Sequence, residues 1–260
     1  MSSEALFERQ GGRFVASDVT RGPWDPDAQH GGAAAAVLMR AFEPLRDLDE
    51  DLSFARVTFE FVRPIPIGEV SVEAAVVRPG RRVQLFEATM RDGTGTEVVR
   101  ARALAVRLAN SRGRDTGLGV VPRAPEFGRY NDLMPEIRPM FAPDGVEIRF
   151  VGGHFGGGDS TAWFRLRVPV VDGEEPSPLQ TLAAAADFGN GISSSLSWDE
   201  YMFINPDLTI YIEREPVGEW VCLQATTRIA PEGVGLAESV LYDVRGRVGR
   251  ALQSLLIAPR

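Results

Sequence analysis

The chain carries GEVSVEAAVVRPGRRVQLFEATMRDG from Gly68 and, 150 residues later, GEWVCLQATTRIAPEGVGLAESVLYDVRG from Gly218. Gly68-Glu69 aligns with Gly218-Glu219. After one inserted residue, Leu85, Glu87 and Asp92 fall on Leu236, Glu238 and Asp243, and with that residue removed again Arg100-Ala101 falls on Arg250-Ala251. Upstream, Thr58–Pro64 resembles Thr209–Pro216, and Ala33–Ala36 lies 150 positions before Ala183–Ala186. Several matches in one order at nearly one offset mark an internal duplication. Its period is too long for a solenoid, so it implies two similar parts of one fold.

Both copies read alike. In the first, an extended lead-in (Phe14–Thr20) and a loop holding Pro23, Asp25 and Pro26 precede an Ala-rich helix over Gly31–Phe42. Four strands are expected next, at Ser53–Val62, Glu69–Val77, Arg82–Arg91 and Glu97–Leu108. They alternate apolar and polar and are bounded by Pro79-Gly80 and Gly93–Gly95. The second copy predicts strands at Val146–Val151 and Ala162–Val168 and a helix near Pro178–Phe188. Further strands follow near Leu208–Glu213, Trp220–Ile229, Gly235–Tyr242 and Val248–Ile257. Residues 111–145 hold ten Gly or Pro and little periodicity, as a linker would. The expected domains are therefore an N-terminal half over 1–110, a linker over 111–145, and a C-terminal half over 146–260. A helix followed by antiparallel strands, twice, is an α+β plan. Small Ala side chains let a twisted antiparallel sheet wrap closely around two central helices, which describes a tandem, or double, hotdog.

Composition narrows the chemistry. The 260 residues carry a formal charge of −8, which argues against a general nucleic-acid binder. Every basic residue is Arg, so Schiff-base and P-loop lysines are excluded. A lone Cys222 allows neither an internal disulfide nor a cysteine zinc site, and only His30 and His154 are present, too few for a His-rich metal site. No cofactor or metal is expected. The N-terminal stretch lacks an apolar signal core and no run of 18 apolar residues occurs, so no membrane span and a cytoplasmic location are expected.

The duplication also acts as an internal control. Asp187 stands where the first copy has Val37, and Gln253 where it has Ala103. A carboxylate on a largely buried helix costs several kcal/mol unless paired or wetted, so its presence points to a use. Gly31-Gly32 opens the first helix without a Cβ to block approach to its N–H groups. No Gly-x-Ser-x-Gly elbow occurs; Ser193–Ser195 lacks the second glycine and reads as a polar loop. Gly156–Gly158 reads as a hairpin loop, the four Trp as core or rim, and Cys222 as structural.

Four segments together resemble the double-hotdog acyl-CoA thioesterases of the type II kind. They are His30-Gly31-Gly32-Ala33, Ala183–Asp187 with Phe188, Arg214-Glu215-Pro216 with Gly218-Glu219-Trp220, and the last strand with Gln253. The resemblance implies hydrolysis of acyl-CoA to a fatty acid and CoA, in lipid metabolism, by general-base activation of water. Its hydrolytic set is an Asp on the second helix, a Gln on the last strand, and a hydroxyl just before the strand after the helix. Asp187 and Gln253 match the first two. For the third, Asn205 holds the family position and Thr209 is the hydroxyl alternative. Asp187 would be the base, with Gln253 and Asn205 or Thr209 holding the water. Gly31, Gly32 and His30 would face the oxyanion or substrate, and Arg81-Arg82 and Arg112/Arg114 are candidates for the CoA phosphates. A homodimer is expected. Two other readings stand beside this one. Asp25-x₄-His30 resembles the Asp–His pair of hotdog enoyl-CoA hydratases, though without their Asn-Pro, and a non-catalytic acyl-CoA or lipid carrier would keep the fold without turnover.

Overall fold

The computed structural model describes residues 5–49, 51–109, 117, 119–130 and 136–260. A hairpin of β1 (Phe7–Gln10) and β2 (Arg13–Ala16) opens the chain, turned at Gly11 with φ 61°, a conformation that favours glycine. The expected lead-in is strand only as far as Ala16, and Asp18–Thr20 form a single 3₁₀ turn. Helix α1 (Gly31–Arg46) is followed by β3 (Leu52–Phe61), β4 (Glu69–Arg78), β5 (Val83–Asp92) and β6 (Glu97–Arg107).

Residues 110–116, 118 and 131–135 of the connecting stretch, Arg112 and Arg114 among them, lie outside the described residues. The rest of that stretch has structure of its own. It supplies β7 (Arg129–Tyr130) and the fully buried Phe141. Then come β8 (Val146–Gly152), β9 (Ser160–Leu166), α2 (Pro178–Ala186), α3 (Gly189–Ser193), β10 (Tyr201–Ile204), β11 (Asp207–Ile212), β12 (Val221–Ile229), β13 (Val234–Asp243) and β14 (Gly246–Pro259).

The strands form one sheet in the order β1-β2-β4-β5-β6-β3-β11-β14-β13-β12-β9-β8-β7, with β10 also on β14 and every named pair antiparallel. The order β2-β4-β5-β6-β3 is mirrored by β9-β12-β13-β14-β11 across the β3–β11 seam. Thr58 pairs with Thr209 at that seam, and their hydroxyls lie 3.2 Å apart. Duplicate positions that pair with each other place a local two-fold axis between them. The result is the α+β double hotdog, a single antiparallel sheet around central helices. Among the described residues no helix is long and apolar enough to cross a membrane.

The core follows from the period-2 pattern. Val57 and Phe59 of β3, Phe86, Ala88 and Met90 of β5, and Val99, Ala101, Ala103 and Ala105 of β6 are buried on the face toward α1. Each large apolar side chain removed from water contributes about 1.5–3 kcal/mol. Small residues set the spacing of the helices. Ala33 to Ala36 and Ala183 to Ala186 are all buried, and a Cβ on Gly32 would stand 2.5 Å from the Ala184 carbonyl oxygen. The start of α1 therefore lies against the end of α2. At the opposite ends, Glu43 of α1 meets the start of α2, where Ser177 caps the helix by accepting from Gln180 N–H at 3.1 Å. The Glu43 carboxyl is bonded there by Ser177 (2.5 Å) and Gln180 (2.7 Å). Elsewhere Arg214 forms a bidentate pair with the fully buried Asp243 at 2.5 and 2.6 Å, and Asp243 also accepts three backbone N–H groups. The Arg214-Glu215-Pro216 motif therefore has a structural task.

Two outcomes follow. A Cβ on Gly249 would overlap the Tyr211 carbonyl oxygen across the β11–β14 ladder. Gly249→Ala should cost about 1–3 kcal/mol, as overpacking does, read as a lower urea midpoint. Burial pushes the Glu43 carboxyl above its ordinary value, against the smaller opposing effect of the Gln180 and Ser177 hydrogen bonds. The native state then keeps this proton to a higher pH than the unfolded chain, so its contribution is lost as pH rises from the ordinary carboxylate range through the raised value. Glu43→Gln should match the wild type in urea unfolding below that range and exceed it at pH 8. A pH-independent difference would contradict this.

Candidate active site

Helix α2 ends one residue before Asp187 and does not run on to Phe188. The Phe188 N–H turns back to the Ala185 carbonyl at 3.0 Å, tightening the last turn, and α3 restarts at Gly189. The restart needs a glycine, because a Cβ there would stand 2.8 Å from Ser239 Oγ and 2.9 Å from Gln253 Oε1. Asp187 sits at this joint, only 7% exposed. A carboxylate so placed requires hydrogen bonds.

It has them. Oδ1 accepts from Asn205 Nδ2 at 2.8 Å and from Gln253 Nε2 at 3.1 Å, and Gln253 Nε2 also reaches the Asp187 carbonyl at 3.1 Å. Oδ2 stands 3.0 Å from His30 Nδ1. Gln253 spends its oxygen on the Asn190 N–H at 3.0 Å, so both ends of this 1%-exposed amide are engaged. Asn205 reaches the carboxylate because Pro206 interrupts the strand. Tyr201–Ile204 and Asp207–Ile212 both pair with β14, and the residue before a proline that cannot donate is released from the ladder between them.

His30 caps α1, its Nδ1 accepting from the Gly32 N–H at 3.0 Å. The ring stacks on Phe188 (4.5 Å, 26°) and lies 5.1 Å from Phe141. Gly31 permits the contact between the helices, since a Cβ there would be 2.8 Å from Asp187 Oδ2. No hydrogen bond of the Gly31 N–H is found among the described residues, which leaves a donor at the positive end of the helix.

Asp187, Asn205, His30 and Gly31 line one cavity of about 360 Å³. Its walls include Phe61, Ile65, Phe203 and Leu256, with Trp24, Trp198 and Arg63 toward the rim. Trp24 and Trp198 stack at 4.7 Å, both pack edge-on to Phe203, and the Arg260 guanidinium lies 5.5 Å from the Trp24 ring.

Asp187, Gln253, Asn205, His30, Gly31 and Gly32 are thus brought together, with Gln253 behind the carboxylate and not on the cavity wall. Thr209 is not brought in: its hydroxyl bonds to Thr58 at the seam, and Asn205 is the residue on Asp187. Asp25 lines the cavity but turns its carboxylate to the Asp27 N–H at 2.9 Å, and His30 has Asp187 as its carboxylate partner. Arg81 and Arg82 are exposed and absent from the cavity lining, where Arg63 stands instead. Cys222 is buried, and burial pushes its thiol far up. Asn190 went unread in the sequence. It lines the cavity and is 5% exposed, its N–H donates to Gln253 Oε1 and its Nδ2 to the Phe203 carbonyl, and its buried Oδ1 has no protein partner. The signal that could have found it is the Gly189-Asn190-Gly191 break after an Ala-rich helix.

No curated protein matches the sequence. Among solved structures, one with a hot dog fold from Alicyclobacillus acidocaldarius superposes with a TM-score of 0.73 at 16% identity, over 99% of this chain and 97% of that one. The TesB protein of Mycobacterium avium subsp. paratuberculosis gives 0.67 at 15%, over 97% and 96%. An acyl-CoA thioesterase II, TesB2, from Mycobacterium marinum gives 0.64 at 13%, over 99% and 98%. At these identities the likeness shows the fold. The family follows from two sequence models, the acyl-CoA thioesterase N-terminal domain over residues 20–107 and the acyl-CoA thioesterase C-terminal domain over 119–257. The chain belongs to the acyl-CoA thioesterase family, a thioester hydrolase built as a double hotdog.

Proposed function

We propose that the protein hydrolyses acyl-CoA to a free fatty acid and CoA, with Asp187 as general base. The observation that carries this reading is a buried carboxylate at an apolar cavity, held by hydrogen bonds from Asn205 at 2.8 Å and Gln253 at 3.1 Å, with His30 Nδ1 3.0 Å from its free oxygen. Water gives a proton to Asp187 while its oxygen adds to the thioester carbonyl carbon. Asn205 steadies the water and the carboxylate together, and Gln253 is a positioning residue that fixes the carboxylate from behind. The oxyanion finds the Gly31 N–H at the start of α1. Collapse breaks the C–S bond with its electron pair on sulfur, and the proton taken by Asp187 is returned to the sulfur, so the thiol leaves and the carboxylate is regenerated.

The apolar walls suit an acyl chain, and Arg63 of the lining, with Arg260 beside the Trp24 ring, suits the CoA phosphates. Fatty-acid metabolism in the cytoplasm belongs to this reading, with the unpaired Cys222 in agreement. So does a homodimer, for which the exposed Tyr211 and Leu236 on the outer sheet face are the supporting feature.

The chain should hold one working site. Val37 and Ala103 occupy the duplicate positions of Asp187 and Gln253, and Glu43 fills the equivalent helix junction. In Asp187→Asn the new amide oxygen can accept from Asn205 and Gln253 while its NH₂ faces His30 Nδ1, so folding should survive. Hydrolysis across a panel of acyl-CoAs, read as free thiol, should fall about 10²–10⁴-fold. That variant should bind one non-hydrolysable acyl-CoA analogue per chain by calorimetry. Retained turnover, or two tight sites, would overturn the assignment, and wild-type binding without turnover of any acyl-CoA would favour a carrier.

A further inference from the structure

His30 stands under two demands that one ring nitrogen cannot meet at once. Its Nδ1 accepts from the Gly32 N–H at 3.0 Å and also lies 3.0 Å from Asp187 Oδ2. In the tautomer whose Nδ1 accepts from Gly32, that nitrogen carries no proton and the ring holds its proton on Nε2. Nδ1 and Oδ2 are then two acceptors facing each other with no hydrogen between them. Such a gap repels until a proton enters it, and it then becomes a hydrogen bond. The other carboxylate oxygen is already taken by Asn205 and Gln253, so Oδ2 is the one left for an incoming proton.

The ring's other side is equally specific. His30 lines the cavity, and Nε2 has no protein hydrogen bond among the described residues. Stacking on Phe188 and contact with Phe141 hold the ring plane in place. The groups around the pair are Asp187 from the end of α2, the neutral amides of Asn205 and Gln253, and these two rings. Asp25, at the cavity wall, is turned to its own loop.

We propose that His30 is a catalytic residue that relays the water's proton to the leaving sulfur. This rests on the hydrolase reading above and adds a step to it. As the water oxygen bonds to the carbonyl carbon, its proton goes to Asp187 Oδ2 and is shared across the gap with Nδ1. When the tetrahedral oxyanion collapses, the C–S bond breaks with its electron pair on sulfur. Nε2 then gives its proton to that sulfur as Nδ1 takes full possession of the first. The products are the carboxylic acid and the neutral thiol, the carboxylate is regenerated, and the ring is left neutral with its proton on Nδ1. Exchange with cavity water restores the starting tautomer with no net proton change. A thiol with an ordinary pKa near ~8.5 leaves poorly as an anion in a largely apolar cavity, so a donor there has work to do.

His30→Asn tests this. Asparagine is among the best N-caps, so the Gly32 N–H keeps an acceptor while the proton carrier is lost. Turnover of an acyl-CoA and of the thiophenyl ester of the same acyl group would be compared in wild type, His30→Asn and Asp187→Asn. An aryl thiolate is stable and needs no proton to leave. His30→Asn should lose about 10²-fold in kcat on the acyl-CoA but less than about threefold on the aryl ester, while Asp187→Asn loses both. A merely structural role for His30 would lower both substrates equally, and that result, or undiminished acyl-CoA turnover, overturns the relay alone. Failure of the wild type to hydrolyse either ester would remove the hydrolase reading and the relay with it.

Discussion

The antiparallel pairing of β3 with β11 governs the arrangement of everything else. Thr58 and Thr209 are duplicate positions, and they are also cross-strand partners. Equivalent residues paired in an antiparallel ladder force the two copies into a two-fold relation. The two-fold lays α1 and α2 side by side in opposite directions, with the start of each against the end of the other. A slip of one residue in this register would turn Val57, Phe59, Leu208 and Ile210 from the core toward solvent, so the core itself holds the register.

Given two such junctions, chemistry depends on how each is filled. At one, glycines at 31, 32 and 189 bring backbone and carboxylate within contact distance, and the Pro206 break frees Asn205 to join them. At the other, Glu43 closes the space with Ser177 and Gln180. Both ends contain an acidic side chain withdrawn from water, Asp187 buried and Glu43 partly so. They differ in surroundings: Asp187 has a cavity beside it, whereas Glu43 lies between capping groups.

Much of this was legible in the chain. The repeat from Gly68 and Gly218 and the alternation of apolar residues determined the strands of both copies to within a few residues, because each strand has one buried face. Asp187 and Gln253 stood out because their duplicate positions are Val37 and Ala103. The parts that were not legible depend on three-dimensional approach. Nothing local in sequence says that His30 meets Asp187 and not Asp25, which is nearer along the chain. Thr209 offered the expected hydroxyl, but its side chain lies on the seam against Thr58 and is absent from the cavity lining. Phe141 sits in a stretch of weak periodicity that reads as a connector, yet it packs on the His30 ring. Strands β1, β7 and β10 are four residues or shorter and carry little pattern.

The filled junction at Glu43 bears on how such a molecule can change over generations. In an assembly of two identical single hotdogs, symmetry would place any substitution at both junctions at once. A charged base buried for catalysis would then impose its desolvation cost twice, and a stabilising plug would close both cavities. Joining the copies in one chain removes that coupling. One junction can drift toward tight packing around its carboxyl while the other keeps a buried carboxylate beside an open cavity. The stability given up at Asp187 is then recoverable a few helical turns away, and the two ends answer to different selective pressures.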